Sequence, residues 1–226
     1  MPDKHPEHDR GDEDTAVIFA ERVEERERMV REQLLARGIR NEAVLQAMRR
    51  VPRHAFIEPA LQSQAYRDHP IQIGHGQTIS QPYVVAWMSE LLAPKHGDRV
   101  LEIGSGCGYQ TAVLLEMGAE VHSVELIPEL AEMGRRNLRR LGYPHSRMRT
   151  GDGNLGLPEE APFTGILAAA AAPKTPSALL EQLSVGGRMV MPVGREAQVL
   201  RVFEKSSQEE IREEDVGAVR FVPLRG

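Results

Sequence analysis

The sequence is poor in the residues that define several common protein classes. Its 226 residues include one cysteine and 4% aromatic residues, and its formal net charge is −5. A single cysteine excludes an intrachain disulfide and leaves too few thiolates for a structural zinc site. The acidic balance argues against a generally basic surface, so neither nucleic acid nor an anionic membrane is an expected partner.

Long apolar runs are also missing. The first residues, MPDKHPEHDRGDEDT, are too polar to supply the apolar segment of a secretory signal. No later stretch reaches the roughly 20 apolar residues that a membrane helix needs. We therefore expect a cytoplasmic protein in which residues 1–15 form a disordered polar tail. Residues 16–226 suffice for a single α/β domain.

Three regions follow from the patterns along the chain. Residues 16–75 predict two helices, one from about Thr15 to Arg37 that ends at Gly38, and a shorter one capped by Asn41. In residues 76–195 apolar strands such as DRVLEIG and EVHSVEL alternate with helices, and a Gly-Gly turn precedes the last strand. This alternation predicts a Rossmann-like α/β fold, with a mostly parallel twisted sheet and helices on both faces. Residues 196–226 predict antiparallel strands at the sheet edge.

A glycine-rich segment, VLEIGSGCGYQ, follows a predicted strand and opens a predicted helix. Its glycines allow the backbone to approach a ligand closely, with amides at Gly104, Ser105, Gly106 and Gly108. A dinucleotide fingerprint, G-x-G-x-x-G, requires glycine where Tyr109 stands. The order E-x-G-x-G-x-G, which starts at Glu102, resembles instead the S-adenosylmethionine motif of class I methyltransferases.

Two acidic residues are expected at the same sheet edge as the glycine loop. Glu125 ends the next strand and Asp152 follows the third, and a carboxylate at such a position can accept ribose hydroxyls. Taken singly, Glu125 could be a surface charge and Asp152 a turn residue. Their register with the glycine loop favours a cofactor site. Cys107 lies within the loop, where a ligand-loop position explains it better than a nucleophile.

Several segments together resemble one family, the protein-L-isoaspartate O-methyltransferases. They include IGHGQTISQPY, VLEIGSGCGYQTA, VHSVELIPEL, AAAPKTPSALLEQLSVGGRMVMPVG and AVRFVPL, and the similarity extends from about Val23 to Leu224. The resemblance implies a class I methyltransferase that uses S-adenosyl-L-methionine. It also implies methylation of the α-carboxylate of L-isoaspartyl residues in damaged proteins and peptides, by a chain expected to be a monomer.

The resemblance also assigns roles to residues, with Ser80 as the catalytic contact to the substrate carboxylate and no metal. The substrate is expected to contact Ile79, Ser80, Ala169 and Ala170. The cofactor is expected to contact Gln77, Thr78, Glu102, Gly104, Ser105, Gly106, Gly108, Glu125, Leu126, Asp152 and Gly153. From spacing alone Ser80 could instead cap the helix that Pro82 begins, whose N-terminus favours an anion.

The chain departs from the family pattern in FTGILAAAAAP, where Thr164 replaces an acid and Ala168 and Ala169 replace valine and threonine. Two alternatives therefore stay open. One is a methyltransferase for another carboxylate or a small molecule. The other is a cofactor-binding receptor that recognises modified peptides without methylating them. An assay with isoaspartyl and aspartyl peptides would separate these readings.

Overall fold

The computed structural model describes residues 9–143 and 147–226. Its first helices are α1 (Asp9–Ala20) and α2 (Val23–Met29), and α2 continues as a π-helical turn and a 3-10 turn up to Arg37. The sequence predicted one helix here, but Arg22 lies in the left-handed region (φ 54°) and separates α1 from α2. The helical segment ends as predicted, because Gly38 takes a φ of 96°.

The first helix corrects the predicted extent of the polar tail. Residues 9–15 were expected to be disordered, yet they form the start of α1. Residues 1–8 of that tail lie outside the described part of the chain. A fifteen-residue polar stretch, whose apolar side chains stand only at its very start, gave no helical periodicity, which is why the pattern placed the start of the helix too late.

The next elements carry the chain from the helices to the cleft described below. Helix α3 (Glu42–Arg50) is capped as predicted, because the Asn41 side chain accepts hydrogen bonds from two backbone amides. An antiparallel hairpin follows, made of β1 (Ile71–Gly74) and β2 (Gln77–Ile79). The residues that connect these strands, Gly74 to Gly76, all have positive φ, which makes the turn tight.

The main sheet has seven strands. They are β3 (Arg99–Ile103), β4 (Glu120–Glu125), β5 (Arg147–Thr150), β6 (Phe163–Ala168), β7 (Leu183–Gly194), β8 (Gln198–Lys205) and β9 (Ile211–Val219). Their order is β5-β4-β3-β6-β7-β8-β9, so β5 and β9 are the edge strands. Strands β3 to β7 are parallel and β8 and β9 antiparallel, which confirms the predicted Rossmann-like class and the C-terminal antiparallel pair.

Helix α4 (Pro82–Leu92) leads from β2 into β3, and helices α5 (Tyr109–Glu116), α6 (Pro128–Arg140) and α7 (Ser177–Glu181) connect pairs of parallel strands. In α6, Leu130, Ala131 and Leu138 are buried and arginines occupy the exposed side, which is the amphipathic spacing that packs a helix on a sheet. The predicted Gly-Gly turn is wrong, since Gly186 and Gly187 lie within β7, where its pairing with β6 is irregular.

The strand order places a crevice at the middle of the sheet. From β3 the chain proceeds to β4 and β5 on one side, and then returns to β6 on the other. Ligands of open α/β sheets bind at the carboxyl ends of the strands at such a reversal. The C-terminal segment also returns to this place, because Leu224 donates a backbone hydrogen bond to Ala171 and Ala171 donates one to Val222.

Candidate active site

A cleft opens at the carboxyl ends of β3, β4 and β6. Its empty volume is about 1010 Å³, including the mouth. The walls include the β1–β2 hairpin, the glycine loop after β3, the turn after β4, the end of β6 and the C-terminal segment, and helices and one further turn complete them. The cleft therefore lies where the strand order predicts a ligand site, and its size is in the range of pockets that hold cofactors.

Most of the residues expected at the site line this cleft. They are Gln77, Thr78, Ile79, Ser80, Gly104, Ser105, Gly106, Glu125, Leu126, Gly153, Ala169 and Ala170. Three residues expected to bind the cofactor, Glu102, Gly108 and Asp152, are not among the lining residues. Each of the three residues has a different environment, and that environment explains why the residue does not line the cleft.

Glu102 is fully buried behind the glycine loop rather than beside the cleft. Its Oε2 accepts hydrogen bonds from the hydroxyls of Thr111 at 2.6 Å and Ser123 at 2.7 Å, and its Oε1 has no partner within the described residues. Burial raises the pKa of Glu102 to about 7, against the opposing effect of the two hydroxyls. This carboxyl joins β3, β4 and α5, so its placement argues against direct contact with a ligand.

Asp152 forms a turn, which was the simpler alternative from the sequence. Its Oδ1 accepts hydrogen bonds from the backbone and the side-chain nitrogens of Asn154, both at 2.8 Å. The adjacent Gly153 does line the cleft. A Cβ added at Gly153 would lie 2.4 Å from a methyl of Ile103, so only glycine fits this position. Asp152 thus shapes the turn that presents Gly153.

The glycine loop uses its amides differently from the expectation. The amide of Gly104 donates to Val124 O at 2.8 Å and that of Gly108 to Ser105 O at 2.9 Å, so both are satisfied within the protein. The amide of Gly106 donates to Glu125 Oε2 at 2.8 Å. All three glycines have positive φ, between 52° and 89°, which explains why this loop needs glycine.

Ser105 is the loop residue with an unsatisfied polar atom. It is 5% exposed, and its Oγ has no hydrogen-bond partner among the described residues although it lies in the cleft wall. A buried hydroxyl without a partner is costly, and a ligand that bonds to it would remove that cost. Ser105 therefore supports a polar ligand at this loop.

Glu125 is the acid that reaches the cleft. It is 6% exposed and accepts backbone hydrogen bonds at both carboxylate oxygens, from Gly106 at 2.8 Å and from Ile127 at 3.0 Å. These two bonds fix the carboxylate at the carboxyl end of β4. Because a carboxylate has about four acceptor positions, two of them are left for a ligand.

Ser80 lies at the cleft between β2 and α4. It does not cap the helix, because the N-cap position is Gln81 and no side-chain capping bond is present. The alternative capping role is therefore wrong. Within the described residues the Ser80 hydroxyl makes no hydrogen bond, while its backbone carbonyl accepts one from Arg53 Nη2 at 2.7 Å. The hydroxyl is thus available as a donor.

The predicted anion site at the N-terminus of α4 takes a different form. Val85 and Met88 of this helix line the cleft, whereas Tyr83 and Val84, which carry the first amides after Pro82, do not. The helix therefore presents an apolar side to the cleft. The polar part of this wall comes from β2 and Ser80.

Neither a thiolate nor a metal cluster is indicated by the described residues. Burial raises the pKa of Cys107 to about 11, so the thiol is protonated at neutral pH. Across residues 9–143 and 147–226 no group of three or more histidine, cysteine or acidic residues is placed to hold a metal ion. Cys107 is 2% exposed and forms part of the wall, which fits the interpretation from the sequence.

Sequence reasoning missed the contribution of the chain's last residues. The cleft is lined by Val222, Pro223, Leu224 and Arg225 together with residues distant in sequence, such as Gly104 and Ala170. The closing AVRFVPL had been noted only as part of the resemblance, without a role. Tyr109 and Gln110, the first residues of α5, were also missed. No local pattern marks these positions, because only the tertiary fold brings them to the cleft.

The departures from the family pattern mostly lie away from the cleft. Thr164 is exposed, and its hydroxyl donates to Arg99 O at 3.0 Å. Ala168 is buried in the sheet and does not line the cleft, whereas Ala169 does. A change in substrate contacts is therefore confined to Ala169.

Among the described residues no helix is both long and apolar enough to cross a membrane.

Comparisons with known proteins agree with this geometry. The family model of protein-L-isoaspartate(D-aspartate) O-methyltransferase matches residues 24–226. The chain is 52% identical over 206 residues to a protein-L-isoaspartate O-methyltransferase of Methanospirillum hungatei, covering 91% of this chain and 95% of the relative. It is 52% identical over 203 residues to a second such enzyme, from Marinobacter nauticus, covering 89% and 93% of the two chains.

Solved structures give the same result. One protein-L-isoaspartate O-methyltransferase superposes with a TM-score of 0.80 at 29% identity, over 89% of this chain and 66% of that chain. Another, from Plasmodium falciparum in complex with S-adenosyl-L-homocysteine, superposes with a TM-score of 0.76 at 26% identity, over 87% and 96% of the two chains. The family model, the relatives and the fold agree, and the chain belongs to the protein-L-isoaspartate(D-aspartate) O-methyltransferase family.

Proposed function

We propose that this chain transfers a methyl group from S-adenosyl-L-methionine to the α-carboxylate of L-isoaspartyl residues in damaged proteins and peptides. The observation that carries the proposal is the cleft at the carboxyl ends of β3, β4 and β6, where the family's motifs come together in one wall. Family membership, which covers residues 24–226, supports the same activity.

The residues of the cleft fit the cofactor. Glu125 has acceptor positions left for the ribose hydroxyls, after its two bonds to backbone amides. The unsatisfied Ser105 hydroxyl offers a further polar contact. Gly106 leaves the loop without a side chain, and a Cβ there would lie 3.0 Å from Ile73. When bound, S-adenosyl-L-methionine supplies a methyl group on a positively charged sulfur that departs as a neutral thioether.

The substrate needs little acid–base chemistry from the protein. A carboxylate is ionised at neutral pH, so no general base is required. The task of the site is to remove water from the carboxylate, to orient it and to replace the lost hydration with fixed donors. Ser80 suits that task because it lines the cleft and its hydroxyl is not engaged elsewhere in the described chain.

The charge of the wall also matters for the reaction. Glu125 and Arg225 are the charged residues among the described lining residues, and Ser80 lies in the neutral segment Gln77–Gln81. A cation in direct contact with the carboxylate would bind it tightly but lower its nucleophilicity. A neutral hydroxyl donor at Ser80 binds the substrate and lowers that nucleophilicity less than a cation would.

The test is a methyl-transfer assay with an isoaspartyl peptide and the matching aspartyl peptide. We expect transfer to the isoaspartyl peptide only. Equal transfer to both, or transfer to neither, would contradict the proposed substrate. Peptide binding without transfer would favour a receptor, and transfer only to another carboxylate would favour a different methyltransferase.

The role of Ser80 is tested in the same assay. We expect Ser80→Ala to reduce turnover by 10-fold or more, on the order of one lost fixed donor, while calorimetry shows unchanged cofactor affinity. Ser206→Ala is the control, because Ser206 does not line the cleft and its hydroxyl donates to Glu210 at the surface. Unchanged turnover in Ser80→Ala would exclude the proposed role.

We also propose that the chain acts as a monomer, since the residues of a single chain suffice to enclose the cleft. Light scattering coupled to gel filtration tests this, and an active dimer would contradict it. The single domain over residues 16–226 and the cytoplasmic location stay predictions from the sequence.

A further inference from the structure

Arg53 is a buried cation next to the cleft. It is 0% exposed, and its guanidinium lies over the ring of Tyr109, 4.8 Å from the centroid. Its Nε donates to Ala65 O at 2.8 Å and its Nη2 donates to Ser80 O at 2.7 Å. Ser80 and Tyr109 line the cleft, while Arg53 itself does not. Arg53 therefore contacts the wall from behind.

This arrangement is costly. Within the described residues Arg53 has no carboxylate partner, and its Nη1 makes no hydrogen bond. Burial lowers the pKa of Arg53, which is the direction expected when a charge leaves water. Since a guanidinium stays charged at neutral pH, the protein carries a buried positive charge compensated by two carbonyls and a ring face.

The buried guanidinium of Arg53 connects two segments of the backbone. The planar fork of the guanidinium joins two carbonyls that are distant in sequence, at Ala65 and at Ser80. Charge-assisted hydrogen bonds are stronger and more directional than neutral ones, and the fork of arginine has little freedom. Ser80 stands between the end of β2 and the Gln81 N-cap of α4, where no side-chain capping bond holds the backbone. Arg53 is thus the group that fixes the peptide at Ser80.

We propose that Arg53 is a positioning residue for methyl transfer, which holds the backbone of Ser80 so that the hydroxyl is aimed at the substrate carboxylate. The inference rests on the proposed function, since it gives a role to the Ser80 hydroxyl. A misplacement of about 1 Å at a reacting group can cost roughly 100-fold in rate. The proposal therefore predicts a large effect on turnover from a residue that does not line the cleft.

A second buried arginine provides a matched control. Arg26 is 3% exposed and also donates to two backbone carbonyls, those of Glu21 at 2.7 Å and Phe19 at 2.5 Å. Like Arg53 it has one buried nitrogen, Nε, without a partner among the described residues. Arg26 does not line the cleft or contact Ser80, so Arg26→Gln reports the effect of removing a buried arginine on stability alone.

The test compares Arg53→Gln, Arg26→Gln, Ser80→Ala and the Arg53→Gln/Ser80→Ala double variant in the full chain. We expect Arg53→Gln to lower kcat for the isoaspartyl peptide by about 10- to 100-fold. Cofactor affinity by calorimetry should change less than about threefold. Arg26→Gln should lower Tm and leave kcat within about twofold. In the Ser80→Ala background Arg53→Gln should cost less than about threefold further, because the hydroxyl that it positions is already absent.

Two results would overturn the inference. One is a full additional loss of kcat in the double variant, which would mean that Arg53 acts independently of Ser80. The other is an equal ratio of kcat loss to Tm loss in Arg26→Gln and Arg53→Gln. That result would mean that the effect on turnover follows from lost stability alone. If Arg53→Gln does not fold, Arg53→Lys makes the same comparison, since lysine keeps the charge and loses the planar fork.

A measurement without turnover separates this inference from the proposed function. Amide hydrogen exchange over residues 77–84 should increase in Arg53→Gln and not in Arg26→Gln, whether or not the wild-type chain methylates the peptide. A wild-type chain without methyl transfer would contradict the proposed function alone. Unchanged exchange over residues 77–84 would overturn the structural role of Arg53.

Discussion

The buried carboxyl of Glu102 makes a prediction about stability and pH. In the folded protein its pKa rises from 4.5 to about 7, chiefly because of burial. Raising a carboxyl pKa by that amount corresponds to roughly 3 kcal/mol between the protonated and the ionised form. Because Glu102 is 0% exposed, solvent does not screen this effect.

The direction follows from the two pKa values. Well below pH 4.5 the carboxyl is protonated in both the folded and the unfolded chain, so it does not affect their balance. Above pH 4.5 the unfolded chain releases its proton first, whereas the folded chain keeps its proton up to about pH 7. The stability present at low pH is therefore lost as pH rises through that window, and the loss levels off above it.

The assay is urea denaturation of the wild type and of Glu102→Gln at pH 5 and pH 8. The glutamine keeps an acceptor for Thr111 and Ser123 but does not ionise. Between the two pH values the free energy of unfolding of Glu102→Gln should rise relative to the wild type by roughly 2 to 3 kcal/mol. Any cost of the amide itself is the same at both pH values and cancels. Glu181→Gln, at an exposed carboxylate of α7, controls for the loss of one charge. Equal pH dependence in wild type and Glu102→Gln would refute the reasoning.

Three further predictions concern the glycine loop and its neighbours. Glu125→Ala should weaken cofactor binding by about 10-fold or more for each charge-assisted bond lost, and calorimetry without loss of affinity would remove Glu125 from the site. Gly134→Ala should lower the free energy of unfolding by about 1 to 3 kcal/mol, because its Cβ would lie 2.9 Å from Gly106 O and 2.8 Å from a methyl of Met148. Denaturant titration checks it, and an unchanged midpoint would contradict the packing argument. Cys107, whose pKa is raised to about 11, should react with a thiol reagent at pH 8 only after unfolding in urea, and rapid labelling of the native chain would show that the loop opens.

The sheet and its ligand edge were predictable, whereas the choice between two acids was not. Alternating strands and helices specify a parallel sheet, and glycines after a strand specify a loop at its carboxyl end. Glu102 and Glu125 both stand near the end of a strand in the sequence. Only the fold decides that Glu125 reaches the cleft and that Glu102 turns toward Thr111 and Ser123.

Other features were hidden because their cause is long-range. The break at Arg22 has no glycine or proline to announce it, and its guanidinium bonds to Glu25 nearby and to the carbonyl of Gln62, forty positions away. The wall at Leu224 depends on backbone bonds to Ala171. In the same way the sequence shows Arg53 only as a charged residue in a proline-containing loop. Its contact with the backbone of Ser80 appears only in the structure.

The two edge strands bear on how such a protein coexists with its substrates. Strand β5 carries Arg147 and Arg149, and β9 carries Glu213, Glu214 and Asp215. Chains with damaged residues expose extended segments, and a bare sheet edge is a template that would add them as further strands and nucleate aggregates. Charged side chains along each edge oppose that addition, because a strand that docked there would have to bury them. We therefore expect an extended client segment to bind at the cleft and not along the edges of the sheet.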